Sequence, residues 1–586
     1  MLGFDVNPFT RRRLVVGVVI AAVVLVGGRA ASTLYADYTW YSALGASSLW
    51  RERTGDLLLV YGIGFVISML FAFLNLSALG RSIGVLTMPR RLANVEFGEA
   101  VPRKYIDRFA LFLSVAIAAA ATAALPPWTS LAMARLGVTF RESDPYFQHD
   151  LAFYTNWLPF EKAVYTWVML LAVGVSIIVV LLYSLTPGLR WERAGLRMSV
   201  RVRRHLSVLA AVLLLVTVWS YRLQSYDLMI RGSGELGVFS YIDHQWLLPG
   251  LVILSVATAA AAITVLVSGW TGQLRTSFIA VTAIVLMSIA IQEVVPLLVR
   301  RFTPRETQML QDRPYVATRA EFTRRAYALT ATSSDPLRKS GVSAALDSVV
   351  TSAAGQQLPR QDSLVYPGAQ GLVIVSDPQL DVAGQRLGDG LSRLGYAWAY
   401  QSFDLLSDSI PRRTRLVTVR DARTRVRALA PIFAQGSMVE PMFHADTLYW
   451  KLDLYSASSD YPLSQRYVLA GEERTYFRNA GTALVNARTA RVMIAADPDL
   501  DPIAQKWMTA FPNSSDYRAP AIMRELTSTP WAPVTADSSS IANDSTFRAA
   551  VTRLYNRMRA ALAAADLKAF GIAYDSLGAL IGPSHR

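Results

Sequence analysis

The chain has 586 residues, of which 52% are hydrophobic and only 17% charged, against about 25% charged in ordinary globular proteins. That balance excludes a disordered chain. The net charge of +15 does not mark a nucleic-acid binder either, because the basic residues of the first half stand between long apolar runs, where orientation in a bilayer requires them. With no cysteine, disulfides, thiolate metal sites and cysteine nucleophiles are excluded together.

Residues 1–13 read as a cytoplasmic N-terminus ending in Arg11, Arg12 and Arg13. Seven apolar runs follow, at 14–34, 57–79, 109–125, 163–185, 206–221, 247–267 and 278–299. Most approach the twenty or so residues that cross about 30 Å of hydrocarbon, and together they predict a transmembrane bundle over 14–300. Arg29 falls near the end of the first run, where a long side chain snorkels to the headgroups. Pro126 and Pro127 stop the third run, and Pro249 opens the sixth, where a missing N–H costs least. The fifth is short, ending before Arg222. The first run also fits a signal peptide, with Arg11 to Arg13 as its basic region and small residues from Gly28 to Ala31. Apolar character resuming after Arg29, and six further spans, favour a retained helix.

Direction follows from counting cations. One alternating set of loops holds sixteen Arg and Lys (Arg11 to Arg13, Arg81 to Arg108, Arg190 to Arg204, Arg275) and the other holds seven. The richer set belongs in the cytoplasm, so everything after residue 300 is expected outside the cell membrane. The basic loops could also bind anionic lipid headgroups, although topology alone explains them. The outer loops are rich in rings: Tyr38, Trp40 and Tyr41, then Tyr146, Phe147, Phe153, Tyr154, Trp157 and Phe160. Such density fits an aromatic belt at the headgroups; the sharper reading is a vestibule that contacts lipid or substrate.

Beyond the spans, 301–330 reads as a juxtamembrane helix with Pro304 in its first turn. Residues 331–370 form a linker rich in Ser, Ala, Gly and Pro. An α+β domain over 371–535 follows, with strand patterns at 371–376, 416–419, 448–455, 483–485 and 491–496 and a helix at 423–433. A C-terminal helical segment occupies 536–586. The fold class is therefore a membrane all-α bundle of seven transmembrane helices followed by an extracytoplasmic α+β domain. No internal repeat is legible.

Chemistry is sparse. Of the five histidines, His149, His205, His244, His444 and His585, none forms an HExxH pair; His149 and His244 both fall in outer loops, where a joint site is conceivable. Hydrolase, P-loop and dinucleotide motifs are missing, and no cofactor is expected. Glu293 is the carboxylate well inside an apolar run, beside Gln292 and three residues before Pro296, and a charge placed there is by default a transport candidate. The plainer account has it reaching water or Arg300 at the outer end. Asn75 joins Glu293 and Gln292 as a candidate path-lining residue. Asp497, Asp499 and Asp501 alternate as in the start of a Ca²⁺ loop, but Pro502 stands where that loop needs glycine. A helix cap by Asp501, with Pro502 as the first helical residue, explains the same residues.

Several motifs resemble those of a bacterial membrane family, uncharacterised protein family 0182. They are Tyr38-Thr-Trp40-Tyr41 with Leu44-Gly45; Asp144-Pro145 through Asp150, Phe153-Tyr154 and Leu158-Pro159-Phe160; His205-Leu206 through Tyr221, Tyr226 and Ser240-Tyr241 with Asp243; and Arg313-Pro314-Tyr315 with Ala326-Tyr327. Asp453-Leu-Tyr455, Tyr461-Pro462-Leu-Ser464, Tyr476-Phe-Arg478-Asn479 and Asp501-Pro502 with Trp507 continue the match. The resemblance implies a multi-pass bacterial cell-membrane protein with a large outside domain, and it brings no established activity. Members of the family are longer, and the stretch around 330–425 is reduced here.

Three functions are expected in descending order. The first is a non-enzymatic binding or envelope-scaffolding role, with the lipid bilayer, an envelope protein or a lipid as partner and no nucleic acid. The second is a transporter or channel using Glu293 and the kink at Pro296. The third is a membrane enzyme acting on lipid or envelope polymer at the outer loops, with Asp144, Asp150, Asp243 and Asp453 as candidate acids.

Overall fold

The computed structural model describes residues 8–82, 87–92, 95–100, 103–186, 189–192, 195–234, 237–328, 363–377, 379–444, 447–469, 471–496, 501–511, 552–558 and 560. The chain divides into two units, Met1–Tyr517 and Arg518–Arg586. In the second, 552–558 are helical. The rest of the expected C-terminal helical segment, and most of the expected linker, lie outside the described residues.

All seven apolar runs are helices long and apolar enough to cross a membrane: Val16–Ala43, Ser47–Arg81, Lys104–Ala124, Phe153–Ser184, Val200–Ile230, Asp243–Thr271 and Leu274–Phe302. They mark a multi-pass membrane protein. Every helix overshoots its apolar run, because backbone hydrogen bonding continues where hydrophobicity stops. Helices α1 (Pro8–Ala43) and α2 (Ser47–Ser82) have 36 residues each, about 54 Å of helix against about 30 Å of hydrocarbon. Gly45, at φ 75°, makes the reversal between them. Next come α3 (Arg103–Ala121), a short α4 (Trp128–Arg135) opened by Pro126 and Pro127, and α5 (Leu158–Ser184). The fifth span, α6 (Val200–Ile230), runs nine residues past Tyr221 and carries Arg222 and Asp227 on its last turns. Then follow α7 (Leu248–Thr271), α8 (Leu274–Ile289), α9 (Val295–Phe302) and α10 (Arg305–Ala326). Two basic loops fold back as antiparallel hairpins, β1 (Thr87–Leu92) with β2 (Val95–Ala100) and β3 (Leu189–Glu192) with β4 (Gly195–Met198).

The C-terminal domain starts with β5 (Val373–Val375), β6 (Gln385–Arg386), α11 (Leu391–Tyr400) and β7 (Arg415–Val417), whose strands pair in the order β5-β7-β6. Helix α12 (Ala422–Leu429) leads to β8 (Phe433–Gln435), β9 (Glu440–His444) and β10 (Thr447–Ser458). After the hairpin of β11 (Tyr467–Leu469) and β12 (Glu472–Arg474) come β13 (Tyr476–Asn486), β14 (Val492–Ala496) and α13 (Pro502–Ala510). An antiparallel sheet runs β14-β13-β10-β8, with β9 also paired to β10. Its register slips between Leu454 and Tyr455, opposite Gly481, as a bulge requires.

Two shared cores fasten this domain to the bundle. Trp40 and Tyr41, at the end of α1, and Leu49, at the start of α2, are buried with Leu452, Val485 and Trp507. Tyr154, Tyr226 and Met229 are buried with Phe322, Tyr461 and Tyr476. At roughly 150–250 Å² of ring surface each, a buried Trp or Tyr contributes about 4–6 kcal/mol as an upper estimate. That is far more than a flexible tether would require, so the domain is docked.

Asp501 caps α13: its carboxylate accepts from the Ile503 and Ala504 N–H groups at 3.1 and 3.2 Å and from the Tyr476 hydroxyl. Burial pushes its carboxyl up to about 6, against the pull of those N–H groups. A carboxyl raised in the fold binds more protons folded than unfolded between about pH 4 and 6, so stability falls as pH rises through that window, by up to about 3 kcal/mol. Asp501→Asn should flatten this part of the melting-temperature curve in lipid nanodiscs. An unchanged slope between those pH values removes Asp501 as its source.

Candidate functional site

Three of the spans contain one device. The Leu158 N–H bonds to the Phe153 carbonyl, five residues back, and Pro159 follows. Leu248 bonds to Asp243 before Pro249, and Val295 to Ala290 before Pro296. A proline ring strikes the carbonyl four residues back. One extra residue in the preceding turn moves that carbonyl aside, so the helix continues instead of breaking.

The acids singled out in the sequence hold loops. Asp144, fully buried, accepts from the N–H groups of Tyr146, Phe147 and His149 at 2.9, 2.5 and 2.8 Å and from the Tyr154 hydroxyl at 3.1 Å. Asp150 accepts from Phe140, Arg141 and Ala152 N–H at 3.1, 3.1 and 2.8 Å. Asp243, also fully buried, accepts from Ser233 N–H at 3.1 Å and from the Ser240 N–H and hydroxyl at 2.8 and 3.0 Å. Carboxylates occupied in this way order backbone. Asp453, on β10, faces Lys451 at 3.7 Å. His149 packs against Phe147, Phe153 and Tyr226, and His244 against a second group of rings, Tyr146, Phe239 and Tyr315. Among the described residues no group of three His, Asp or Glu could hold a metal; Asp497 and Asp499 lie outside them.

Nor do the transport candidates share one place. The Asn75 amide donates to the Phe71 carbonyl at 2.7 Å and meets His205 Nε2 at 2.9 Å, and His205 Nδ1 meets the Tyr183 hydroxyl at 2.8 Å. This polar chain joins α2, α5 and α6. Gln292 donates to the Ser288 hydroxyl, one turn back, at 2.8 Å, and Glu293 is exposed on the surface of the last span.

The strongest constellation was missed in the sequence, because apolar counting starts the fourth span at 163 and leaves out Glu161 and Lys162. Helix α5 begins five residues earlier, at Leu158, and carries both residues in its first turn and a half. Glu161 is buried. It accepts from the indole N–H groups of Trp157 at 3.2 Å and Trp219 at 2.9 Å, and from Arg222 Nη1 at 2.9 Å. Three donors compensate a carboxylate that could not stand alone beside hydrocarbon. With Phe160 and Val164 these side chains line an open groove of about 290 Å³. Its apolar ring faces lie beside the half-exposed Arg222 guanidinium. Lys162 points elsewhere, pairing with Asp227 of α6 and, at 3.0 Å, with Asp460 of the C-terminal domain. The legible signal was an acid in the turn after Pro159, following an aromatic loop, a helix-start pattern.

A family model described as Uncharacterised protein family (UPF0182) matches residues 14–354 and 380–524, and the chain belongs to that family. A UPF0182 protein of Kocuria rhizophila is 22% identical, over 86% of this chain and 66% of the relative. One of Leifsonia xyli subsp. xyli is 23% identical, over 87% and 66%. One of Desulforamulus reducens is 32% identical over a shorter stretch, 33% of this chain and 20% of the relative. The chain thus spans just under two thirds of the first two relatives' length. No solved structure matches it.

Proposed function

We propose that this member of UPF0182 is a binding or scaffolding protein of the cell membrane, which holds its C-terminal α+β domain at the outer face in one fixed orientation. The observation that carries the reading is Lys162, which ties Asp227 on the fifth span and Asp460 on the domain to the fourth span. An ion-pair bridge of this kind sits at the edge of a shared apolar core, so the domain and the bundle move as one body. Such rigidity suits a scaffold. The occupation of Asp144, Asp150 and Asp243 by loop N–H groups supports a non-enzymatic role, and the exposed position of Glu293 weakens the transporter alternative. The excess of sixteen cations over seven in alternate loops supports the outward direction. An envelope protein fits the domain as partner, and a polar-headed lipid fits the groove of Trp157, Trp219 and Arg222.

Because the chain has no cysteine, Val468→Cys gives a single thiol on an exposed strand. In intact cells it should react with a membrane-impermeant maleimide; reaction only after lysis overturns the outward placement. Spin labels at Val468→Cys and Leu170→Cys should show one narrow distance, broadened by Lys162→Met. A broad distribution in the parent pair overturns the fixed orientation.

A further inference from the structure

We propose that α11 and the turn after it are immersed in the membrane, with the lipid leaflet on the C-terminal domain's side as their binding partner. The sequence reading gives this stretch no such role. In the structure α11 runs down the side of α1. Gln385, just before it, donates to the Ala36 carbonyl at 2.6 Å and the Thr39 hydroxyl at 3.0 Å. Tyr396 meets Tyr35 with ring centroids 5.4 Å apart. Lower down, Trp398 lies against Gly28, where any Cβ would overlap the indole. Arg29 Nη1 donates to the Trp398 carbonyl at 3.0 Å, so the guanidinium expected to snorkel alone is held by the domain.

Two counts place Gly28 below the lipid boundary. Starting at Leu14, about 30 Å of hydrocarbon takes roughly twenty helical residues and ends near Thr33, so Gly28 is about 8 Å inside. The neighbouring helix supplies an independent level. Tyr38 packs on Trp50 with centroids 5.0 Å apart, and the apolar run of α2 begins at Leu57, about 10 Å deeper. That boundary is level with Ala31, and Gly28 still lies about 4–5 Å inside.

Trp398 reaches this depth, and α11 above it, level with Tyr35, presents a stripe fit for the headgroup and acyl boundary. Leu391, Leu394 and Trp398 fall at i, i+3 and i+7, on one face. Leu391 is 86% exposed, and Phe403 in the following turn 77%. Leu394 and Leu406 are also exposed, whereas Arg393, Tyr396 and Ala397 on the opposite face are buried in the domain. The stripe continues the exposed apolar surface of α1 at Leu25 and Val26. Nearby exposed charges balance, Asp404 and Asp408 against Arg412 and Arg413, so immersion rests on apolar burial rather than on anionic lipid.

The test uses the full chain in phosphatidylcholine nanodiscs, with a fluorophore on Leu394→Cys, Phe403→Cys or Val468→Cys. Quenching by nitroxide-bearing lipid, relative to a water-soluble quencher, should be at least about threefold stronger at the first two sites than at Val468. It should also be unchanged at high salt. If the Leu394 and Phe403 probes respond like the Val468 probe, the helix is in water and the proposal fails. Gly28→Leu should expel Trp398 and lower lipid quenching at Leu394 at least about twofold, with the Val468 probe unaffected. Quenching at Leu394 that survives Gly28→Leu unchanged also overturns the proposal, because α1 would not then set the depth of α11.

Discussion

Asp144→Ala should be among the most damaging single substitutions in this protein, with an expected loss of about 4 kcal/mol or more. The carboxylate is fully buried and answers three loop N–H donors and the Tyr154 hydroxyl. Alanine leaves those part-buried N–H groups without their acceptor, and each such group costs up to about 1–3 kcal/mol. Asp144→Asn keeps one acceptor oxygen and should lose roughly half as much. The loss should appear as a lower melting temperature in nanodiscs and as faster hydrogen exchange at Tyr146, Phe147 and His149. If alanine leaves exchange at those three amides unchanged, the carboxylate is not what orders the loop. Tyr146 packs on Phe239 and His244, so the damage should spread to the loop before the sixth span.

That second loop has its own sensitive point at Gly232. A Cβ there would collide with the Val238 carbonyl and the Phe239 nitrogen, which are backbone atoms. Side chains yield to such a collision; a closed backbone loop does not. Gly232→Ala must therefore push Ser233 away from Asp243, breaking the bond between them and leaving Asp243 short of a donor. Overpacking of about 1–3 kcal/mol, together with the lost charge-assisted bond, gives an expected loss of about 3–5 kcal/mol. Gly174→Ala is the control. Nothing lies within 4 Å of its Cβ position, and in a helix interior alanine should be neutral or stabilising by up to about 1 kcal/mol. Equal melting temperatures for the two variants would show that the 232–243 loop is slack.

These loops illustrate how far reading the chain alone carries. Asp144, Asp150 and Asp243 stood out as acids in aromatic outer loops, and position alone made them candidate catalysts. Whether a carboxylate moves protons or orders backbone depends on what donates to it. Most of those donors are backbone N–H groups, which every residue but proline possesses and no side-chain pattern reveals. Glu161 was hidden for the opposite reason. Its three donors come from Trp157, Trp219 and Arg222, the last two 58 and 61 residues away, and the apolar count had set its helix to begin after it. Asp501 was legible as a cap because capping is local: donor and acceptor lie within three residues.

Seven spans, their order and the beginning of a mixed α and β region were determined by the sequence by itself, because transfer into hydrocarbon is roughly additive along the chain and strand or helix periodicity is local. Only the tertiary structure decided that Trp40 and Tyr41 belong to the core of a domain that begins more than three hundred residues later. It alone decided that Lys162 serves Asp460 and that Trp398 lies on Gly28. Each of these contacts joins residues whose separation along the chain is arbitrary. Each is selected by shape and charge complementarity between finished elements, a property that no single segment carries.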